Sequence, residues 1–359
     1  MSKIVYLLGA GASRGKRTWD NKPLGWEEID LEDTNDIIEG LPLVSEIPAR
    51  LDYIIKKIEN IPDTAKTSSI CFPIGSNMGT SYEEAKRIII SDLTWLKNES
   101  EKHATIDTFA KKLYLKGLKQ EFYKVETLLS VFFIIEQIIN KKDGRYDTFL
   151  ASVLNANLNI DKRITILTWN YDSQFELAYK EYGELKDAEN IRKKLGIVDL
   201  KDQSFVSNPQ IFKINGTANF MQQLDLSKYI DLNENLLIDL LDMYIMKLNE
   251  QETNSRISFA WDNKKYTTDF FTALTNSIQD AEILIVIGYT FPFFNREIDK
   301  GIFALMPNLK KVYIQDPNAK QIVGNLDALY SPSHIRVMML NQNIYPITNT
   351  AQFYLPPEL

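Results

Sequence analysis

The hydrophobic positions of the chain form two kinds of pattern, short uninterrupted runs and longer stretches with helical spacing. Short runs of Val, Ile, Leu and Tyr are typical of strands buried in a parallel sheet, because helices cover both faces of such a sheet. Most of these runs end in turn residues or small polar residues, which predicts strands whose carboxyl ends open onto a ligand crevice. The six predicted strands are Ile4 to Leu8, Ile164 to Leu167, Ile211 to Ile214, Ile283 to Ile287, Val312 to Ile314, and Ile335 to Leu340.

Residues with helical spacing separate the first two predicted strands. Ile106, Phe109, Ala110 and Leu113 recur at i, i+3, i+4 and i+7, and Thr105 precedes them as a start signal. Together the two patterns predict an α/β fold, a Rossmann-like parallel sheet of about six strands flanked by helices, with a large helical insertion. The predicted boundaries are residues 1–40 and 159–359 for the sheet domain and residues 41–158 for the insertion.

A second helical stretch, Phe122 to Ile139, is apolar on nearly every side, with Glu126 and Glu136 as its main polar residues. Such a helix is buried in a core or in an oligomer interface, and the sequence leaves both alternatives open. Its longest apolar run, Leu128 to Ile135, is far shorter than the ~18 residues that a membrane span needs, so we expect no membrane anchor. A third helical stretch covers Glu234 to Leu248.

Composition and charge argue against several kinds of binding partner and metal site. The net charge of −7 argues against a general nucleic-acid binder, which needs clustered Lys and Arg. We interpret the local cluster Lys141, Lys142 and Arg145 as a solvated loop, with a basic patch as the alternative. The single cysteine, Cys71, excludes a disulfide within the chain and a zinc site of paired Cys-x-x-Cys motifs, and we expect no metal. The first apolar run lacks a signal cleavage site, so we expect a cytoplasmic protein.

A glycine turn, Gly9-Ala10-Gly11-Ala12-Ser13, follows the first predicted strand, and Gly15 comes shortly after it. Glycines let the backbone turn tightly and come close to a pyrophosphate, whose charge a following helix N-terminus stabilises. The pattern departs from the dehydrogenase fingerprint G-x-G-x-x-G, because Arg14 occupies the position of the third glycine. An ordinary turn from strand to loop is the alternative.

The second predicted strand runs into Thr168-Trp169-Asn170-Tyr171-Asp172. An Asn and an Asp at a strand end both reach into one crevice, where the amide donates and accepts hydrogen bonds and the carboxylate accepts them. Alternatively, Asn170 and Asp172 cap a helix that starts near Phe175. Comparable turns end three further strands, at Lys213 to Thr217, Ile287 to Pro292, and Ile314 to Asn318.

In this order the five strand ends resemble the sirtuin family, and more closely its bacterial branch of NAD-consuming antiphage defence proteins. Gly9 to Ser13 is similar to the family's GAGxS turn, and Thr168 to Asp172 is similar to its T-x-N-x-D motif. Gly288 to Thr290 lies where the family binds the NAD phosphates, and Gln315 and Asp316 lie at the strand end that handles the adenosine ribose. Pro42 to Pro48 resembles the proline-bearing loop that covers the cofactor there.

Two departures from the family pattern bear on activity. Protein-deacylating sirtuins carry a four-cysteine zinc module, which one cysteine cannot supply. The family also has a histidine before the glycine of its third motif, and this chain has Asn215 before Gly216. The only histidines are His103, which either swings into the site or stays on the surface, and His334, which we expect to face solvent.

The resemblance implies an NAD+ glycohydrolase that releases nicotinamide and ADP-ribose as a regulated defence effector. In it, Asn170 orients the ribose or the attacking water, Asp172 holds the carboxamide, and Asn215 contacts ribose hydroxyls. Because asparagine cannot accept a proton, the alternative is a weak or inactive subunit that binds NAD or ADP-ribose as a sensor or scaffold. The resemblance also implies a homo-oligomer and a partner protein such as a translocase ATPase. The residues expected to bind NAD are Gly9, Ala10, Gly11, Ala12, Ser13, Thr168, Gly216, Gly288, Tyr289, Thr290, Gln315 and Asp316.

Overall fold

A computed structural model of the protein describes residues 2–14, 40–62, 81–140, 142–183, 185, 187–200, 208–220, 233–248, 255–262, 267–329 and 343–359. The chain divides into two compact units. The sheet unit comprises Met1–Leu41, Lys142–Gly216 and Ser258–Leu359, and the helical unit comprises Pro42–Lys141 and Thr217–Ile257. The predicted strand Ile335 to Leu340 and the residue His334 lie outside the described residues.

Within the described residues, seven parallel strands form the central sheet and two further strands form a separate two-stranded sheet. The predicted α/β fold with a parallel sheet flanked by helices is therefore confirmed. The strands are β1 Lys3–Leu8, β2 Ile164–Thr168, β3 Ile197–Asp199, β4 Ile211–Lys213, β5 Gly216–Phe220, β6 Ser255–Ile257, β7 Ala281–Ile287, β8 Lys311–Gln315 and β9 Ile344–Ile347. The central sheet has the order β3-β4-β2-β1-β7-β8-β9, and β5 pairs with β6.

The central strand β1 contributes side chains to a hydrophobic core on each face of the sheet. Val5 and Leu7 belong to one core, whereas Ile4, Tyr6 and Leu8 belong to the other, as the two-residue period of a strand requires. All five side chains are buried. This double burial explains why the strand is apolar at consecutive positions.

Helices pack on the sheet, and others build the helical unit. The predicted helix at Ile106 is confirmed, and the Thr105 side chain caps it by accepting a hydrogen bond from the Thr108 N–H. The helices are α1 Ile47–Glu59, α2 Tyr82–Lys102, α3 Ile106–Leu115, α4 Lys119–Asn140, α5 Gly144–Val153, α6 Gln174–Tyr179, α7 Ala188–Leu195, α8 Glu234–Leu248, α9 Thr268–Ile278, α10 Arg296–Ala304 and α11 Ala319–Leu329.

The apolar helix α4 is a core helix of the helical unit. Phe132 has no exposed surface, and the buried Glu136 carboxylate accepts hydrogen bonds from the Arg50 guanidinium and the Asn140 amide. Of the two alternatives that the sequence left open, burial within the chain accounts for this helix. Among the described residues, none of the helices has the length and apolar character to cross a membrane.

The observed division differs from the predicted boundaries at two places. Helix α5 lies inside the predicted insertion, but Tyr146 and Phe149 pack into the core of the sheet unit. Thr217–Ile257 lies inside the predicted sheet domain but belongs to the helical unit. Helical spacing reveals an apolar face without revealing which core that face joins. The solvated-loop interpretation is wrong for Arg145, which is buried.

Candidate functional site

Five strand ends that the sequence singled out lie on neighbouring strands. The ends of β4, β2, β1, β7 and β8 are consecutive in the sheet, and all five strands run parallel. The chain leaves β1 toward β2 on one side and later returns to β7 on the other side. In open α/β sheets, this change of direction opens a crevice at the carboxyl ends of the strands, where ligands bind.

The turns after β1 and β7 touch each other through their glycines. The Gly11 N–H donates to the Gly288 carbonyl at 2.9 Å, and Gly288 has a φ of +59°. A Cβ atom added to Gly9 would lie 2.6 Å from the Gly288 oxygen, and one added to Gly11 would lie 2.8 Å from the Gly288 Cα. The contact between the two turns therefore requires glycine at these three positions, whether or not a pyrophosphate also approaches them.

Ser13 connects the glycine turn to the turn after β2. Its Oγ donates to Asp172 Oδ2 at 2.6 Å and accepts from Asn170 Nδ2 at 3.0 Å. The Tyr146 hydroxyl lies 2.6 Å from the same Oγ. A serine hydroxyl can donate one hydrogen bond and accept two, and Ser13 already donates its single hydrogen bond to Asp172. Tyr146 therefore donates to Ser13, and the hydrogen-bonding capacity of Ser13 is filled.

The two motif side chains Asn170 and Asp172 have different roles in the turn. Asn170 Nδ2 also donates to the Gly9 carbonyl at 2.9 Å, so both amide protons point at protein acceptors. Asp172 Oδ1 accepts from the Gln174 N–H at the start of α6. The N-cap of α6 is Ser173, so of the two motif residues only Asp172 bonds to the helix start, from the position before the cap. The Asn170 Oδ1 accepts no hydrogen bond from the described residues, which leaves it available to a ligand donor.

Opposing effects act on the pKa of the Asp172 carboxyl. Burial raises the pKa of Asp172 above its ordinary value, while the positive charge of Lys213 and the hydrogen bond from Ser13 lower it. Thr168 contributes from the same turn, where its hydroxyl accepts a hydrogen bond from the Asn170 N–H at 3.0 Å. The Thr168 side chain therefore serves the shape of the turn.

Lys213, at the end of β4, lies in a buried cluster of charges beneath this turn. Its ammonium group donates to the Asp172 main-chain carbonyl and pairs with Glu176 at 3.1 Å. Arg192 pairs with Glu176 at 2.9 Å and with Asp199 at 3.0 Å. Burial alone would raise the pKa of Glu176, but the two cations outweigh it and hold the pKa below its ordinary value. The four side chains balance each other's charge.

We expect Lys213→Met to lower the free energy of unfolding by about 3 kcal/mol, because it leaves Glu176 short of a buried counter-charge. Urea denaturation followed by circular dichroism measures the change. The matched control is Lys193→Met, since Lys193 pairs with Glu189 on an exposed face of α7 and should lose less than about 0.5 kcal/mol. Equal losses in the two variants would contradict a structural role for the buried charge cluster.

Asn215 follows β4 and is bound to the neighbouring strand end. Its Nδ2 donates to the Trp169 carbonyl at 3.3 Å, whereas its Oδ1 is buried and accepts no hydrogen bond from the residues that the structure describes. The next residue, Gly216, has a φ of +81°, a conformation that glycine adopts without strain. A buried acceptor without a donor costs about 1–3 kcal/mol of folding free energy, so a ligand donor that bonds to Asn215 Oδ1 would be stabilised there.

Tyr289, after β7, uses its hydroxyl inside the protein. The hydroxyl donates to Asp299, whose two oxygens lie 3.0 and 2.9 Å away, and it accepts from Asn295 Nδ2 at 2.9 Å. The ring stacks on Trp169 at 5.8 Å between centroids. Burial raises the pKa of Asp299 to about 8, while the hydrogen bond from Tyr289 acts in the opposite direction. The Tyr289 side chain thus makes its contacts within the protein and packs the turn after β7 against Trp169 in the turn after β2.

The residues expected at the adenosine ribose differ in availability. Both amide protons of Gln315 are used, since its Nε2 donates to the carbonyls of Asn349 and Gln352, and its Oε1 accepts from the Tyr354 N–H. Asp316 Oδ1 accepts from the Asn318 N–H, and burial raises its pKa. Gln315 therefore anchors the C-terminal segment, whereas the other carboxylate oxygen of Asp316 accepts no hydrogen bond from the described part of the chain.

Other predicted positions fall at the rim or outside the sheet unit. Thr290 is exposed, and Ala10 and Gly11 are partly exposed, so a ligand can reach this part of the edge. His103 ends α2 in the helical unit, where its Nδ1 bonds to the Glu99 carbonyl at 2.8 Å. The sequence reasoning missed Arg145 and Tyr146, which contact the glycine turn, and the helix start signal at Asp143 was the only local sign of them.

Comparison with known proteins does not name a family for this chain. No protein-family model matches it, and no curated protein matches it. The fold and the geometry of the strand ends are therefore the basis on which a function is proposed.

Proposed function

We propose that the protein binds NAD+ at the carboxyl edge of its sheet and hydrolyses the bond between nicotinamide and ribose. The observation that carries the proposal is the turn after β2, where the contacts to Gly9 and Ser13 use both amide protons of Asn170 and leave its Oδ1 as an acceptor. The same Ser13 hydroxyl bonds both the Asn170 amide and the Asp172 carboxylate, and it belongs to the partly exposed glycine turn. A neutral acceptor and a carboxylate suit a ligand whose reacting centre becomes positive.

Hydrolysis of the nicotinamide–ribose bond depends little on a general base. Water adds to ribose C1′ while the bond to the nicotinamide nitrogen breaks, the ring keeps the bonding pair and leaves neutral, and one proton goes to solvent. Because the transition state resembles an oxocarbenium ion, orienting the water and stabilising positive charge carry much of the rate. Asn170 Oδ1 would accept from the water or from a ribose hydroxyl, Asp172 would hold the carboxamide, and the unpaired Oδ1 of Asn215 would accept from a ribose hydroxyl.

Binding without turnover is the second candidate, and Asn215 favours it. An amide cannot accept a proton, and base assistance is worth about 10²–10⁴-fold in rate. A protein with this site would bind NAD or ADP-ribose as a sensor or scaffold. A role in antiphage defence, self-association and a translocase ATPase partner belong to the proposal only through the sequence resemblance.

We expect Asn170→Ala to lose about 10²-fold in kcat while NAD+ affinity changes less than about fivefold, because the amide acts mainly on the transition state. Nicotinamide release measures turnover and calorimetry measures affinity. The matched control is Asn155→Ala, since Asn155 organises a loop before β2 by accepting from the Asn157 and Asn159 N–H groups. The control should retain activity.

Asn215→His separates the two candidates, because it introduces a side chain whose ordinary pKa near 6.5 suits base catalysis. A gain of about tenfold or more in nicotinamide release would support an enzyme that Asn215 attenuates. A silent wild type together with a silent Asn215→His variant, both binding NAD+ tightly, would contradict the glycohydrolase and leave the binding protein. Absence of NAD+ and ADP-ribose binding by calorimetry would contradict both.

A further inference from the structure

The first turn of α5 packs behind the glycine turn and holds its backbone. Arg145 Nη2 donates to the Ala12 carbonyl at 2.8 Å, and the same guanidinium pairs with Asp143 at 2.6 Å. The Asp143 N–H donates to Gln174 Oε1 at 2.7 Å, which ties this turn to the start of α6. Three segments that are far apart in sequence are thus joined at the carboxyl edge of the sheet.

Tyr146 is the one residue of this turn that reaches a side chain of the candidate site. It is 1% exposed, and its ring meets Phe175 and Phe353 edge-on at 4.8 and 4.9 Å between centroids. Burial and the charge of Asp172 raise the pKa of Tyr146, so its hydroxyl keeps its proton. The packed ring therefore presents a permanent donor to Ser13 at 2.6 Å.

We propose that Tyr146 is a positioning residue for the proposed reaction, acting through Ser13 on both Asn170 and Asp172. The inference rests on the proposed function. A hydroxyl that receives a hydrogen bond becomes a stronger donor, so Tyr146 strengthens the bond from Ser13 to Asp172. Because Ser13 donates its only hydrogen bond to Asp172, it can only accept a hydrogen bond from Asn170. This selects the orientation of the Asn170 amide in which Nδ2 faces Ser13 and Oδ1 remains for the ligand.

The test is Tyr146→Phe, which removes the donor and keeps the packed ring. We expect kcat for nicotinamide release to fall about three- to tenfold with less change in KM. The acid limb of the kcat/KM profile should move to higher pH by about half to one unit, because a weaker hydrogen bond from Ser13 raises the pKa of Asp172. The charged and titratable groups around Asp172 and Tyr146 are Lys213 on β4, Glu176 on α6, and Asp143 and Arg145 at the start of α5.

The matched control is Tyr179→Phe. Tyr179 is as deeply buried in the same core, and its hydroxyl donates to the Leu158 carbonyl at 2.9 Å, away from the strand ends. Each variant loses one hydroxyl hydrogen bond, buried for Tyr146 and partly buried for Tyr179, so a merely structural role for Tyr146 predicts a loss of stability without a shift of the acid limb in either variant. Equal kinetics in the two variants would overturn the proposal.

A readout that needs no turnover separates this proposal from the proposed function. The titration of the Asp172 side-chain carboxyl by 13C NMR should move to higher pH in Tyr146→Phe and stay in place in Tyr179→Phe. An unchanged Asp172 titration would overturn the positioning role of Tyr146 even in an active enzyme. A shifted titration in a protein without NAD+ turnover would keep the coupling and defeat only the glycohydrolase.

Discussion

Gly288→Ala is expected to lower the free energy of unfolding by at least about 4 kcal/mol. The added Cβ atom would lie 2.3 Å from Ala12 N and 2.3 Å from the Gly11 carbonyl carbon, and both neighbours are backbone atoms that no side-chain rotation can move. The backbone of Gly288 also has φ of +59°, which costs an L-residue further strain. Overlap and strain act together, so the turns after β1 and β7 must separate.

Denaturant unfolding followed by circular dichroism measures this loss, and Gly301→Ala is the matched control. Gly301 lies within α10, and an added Cβ there meets nothing within 4 Å. Alanine is the better helix former, so the control should be neutral or more stable by roughly 0.5–1 kcal/mol. A Gly288→Ala protein within 1 kcal/mol of the wild type would contradict the contact between the two glycine turns.

Asp299→Asn should remove a pH dependence of stability that the wild type shows between about pH 4 and pH 8. The pKa of Asp299 is about 8 in the folded protein, against an ordinary value of 3.8. As the pH rises through this window, the unfolded chain loses the proton first while the folded chain keeps it. The contribution of Asp299 to stability therefore falls by as much as about 5 kcal/mol and levels off above pH 8. Asparagine still accepts from Tyr289 and cannot ionise.

Urea unfolding at a series of pH values measures the difference, and above pH 8 the Asp299→Asn protein should be the more stable of the two. Asp187→Asn is the control of opposite sign. Asp187 is exposed, and hydrogen bonds from Asn190 lower its pKa, so its contribution is lost as the pH falls. Parallel stability profiles for the wild type and Asp299→Asn would refute the assignment of a raised pKa to this carboxyl.

The sheet was predictable wherever a strand is buried on both faces. Five of the six predicted strands lie within the described residues and occur as strands β1, β2, β4, β7 and β8. The edge strands β3 and β9 were not predicted. β3 has only three residues, and β9 contains Pro346, which sheets tolerate at an edge because an edge strand has backbone groups without a partner. Neither strand carries the apolar run that marks the interior of the sheet.

The site was predictable as a set of strand ends and much less as a set of side-chain roles. Parallel strands bring their carboxyl ends to one edge, so Asn170 and Asp172 lie beside Ser13 as the motif order suggested. Gln315 is used instead to hold the C-terminal segment, and Tyr146 reaches Ser13 from a helix 133 residues further along the chain. Such pairings depend on packing between distant segments, which local sequence patterns do not encode.

The central place of β1 in the sheet has a consequence for the order of folding. Ile4 lies between Ile164 on β2 and Ile283 on β7, both of which are synthesised long after it. At roughly 5–20 residues per second, a ribosome needs on the order of tens of seconds to deliver the second neighbour. Both edges of this apolar strand stay unpaired until β2 emerges, and one edge stays unpaired until β7 emerges, which invites aggregation. The nascent chain therefore needs chaperone protection most at β1, before β7 emerges.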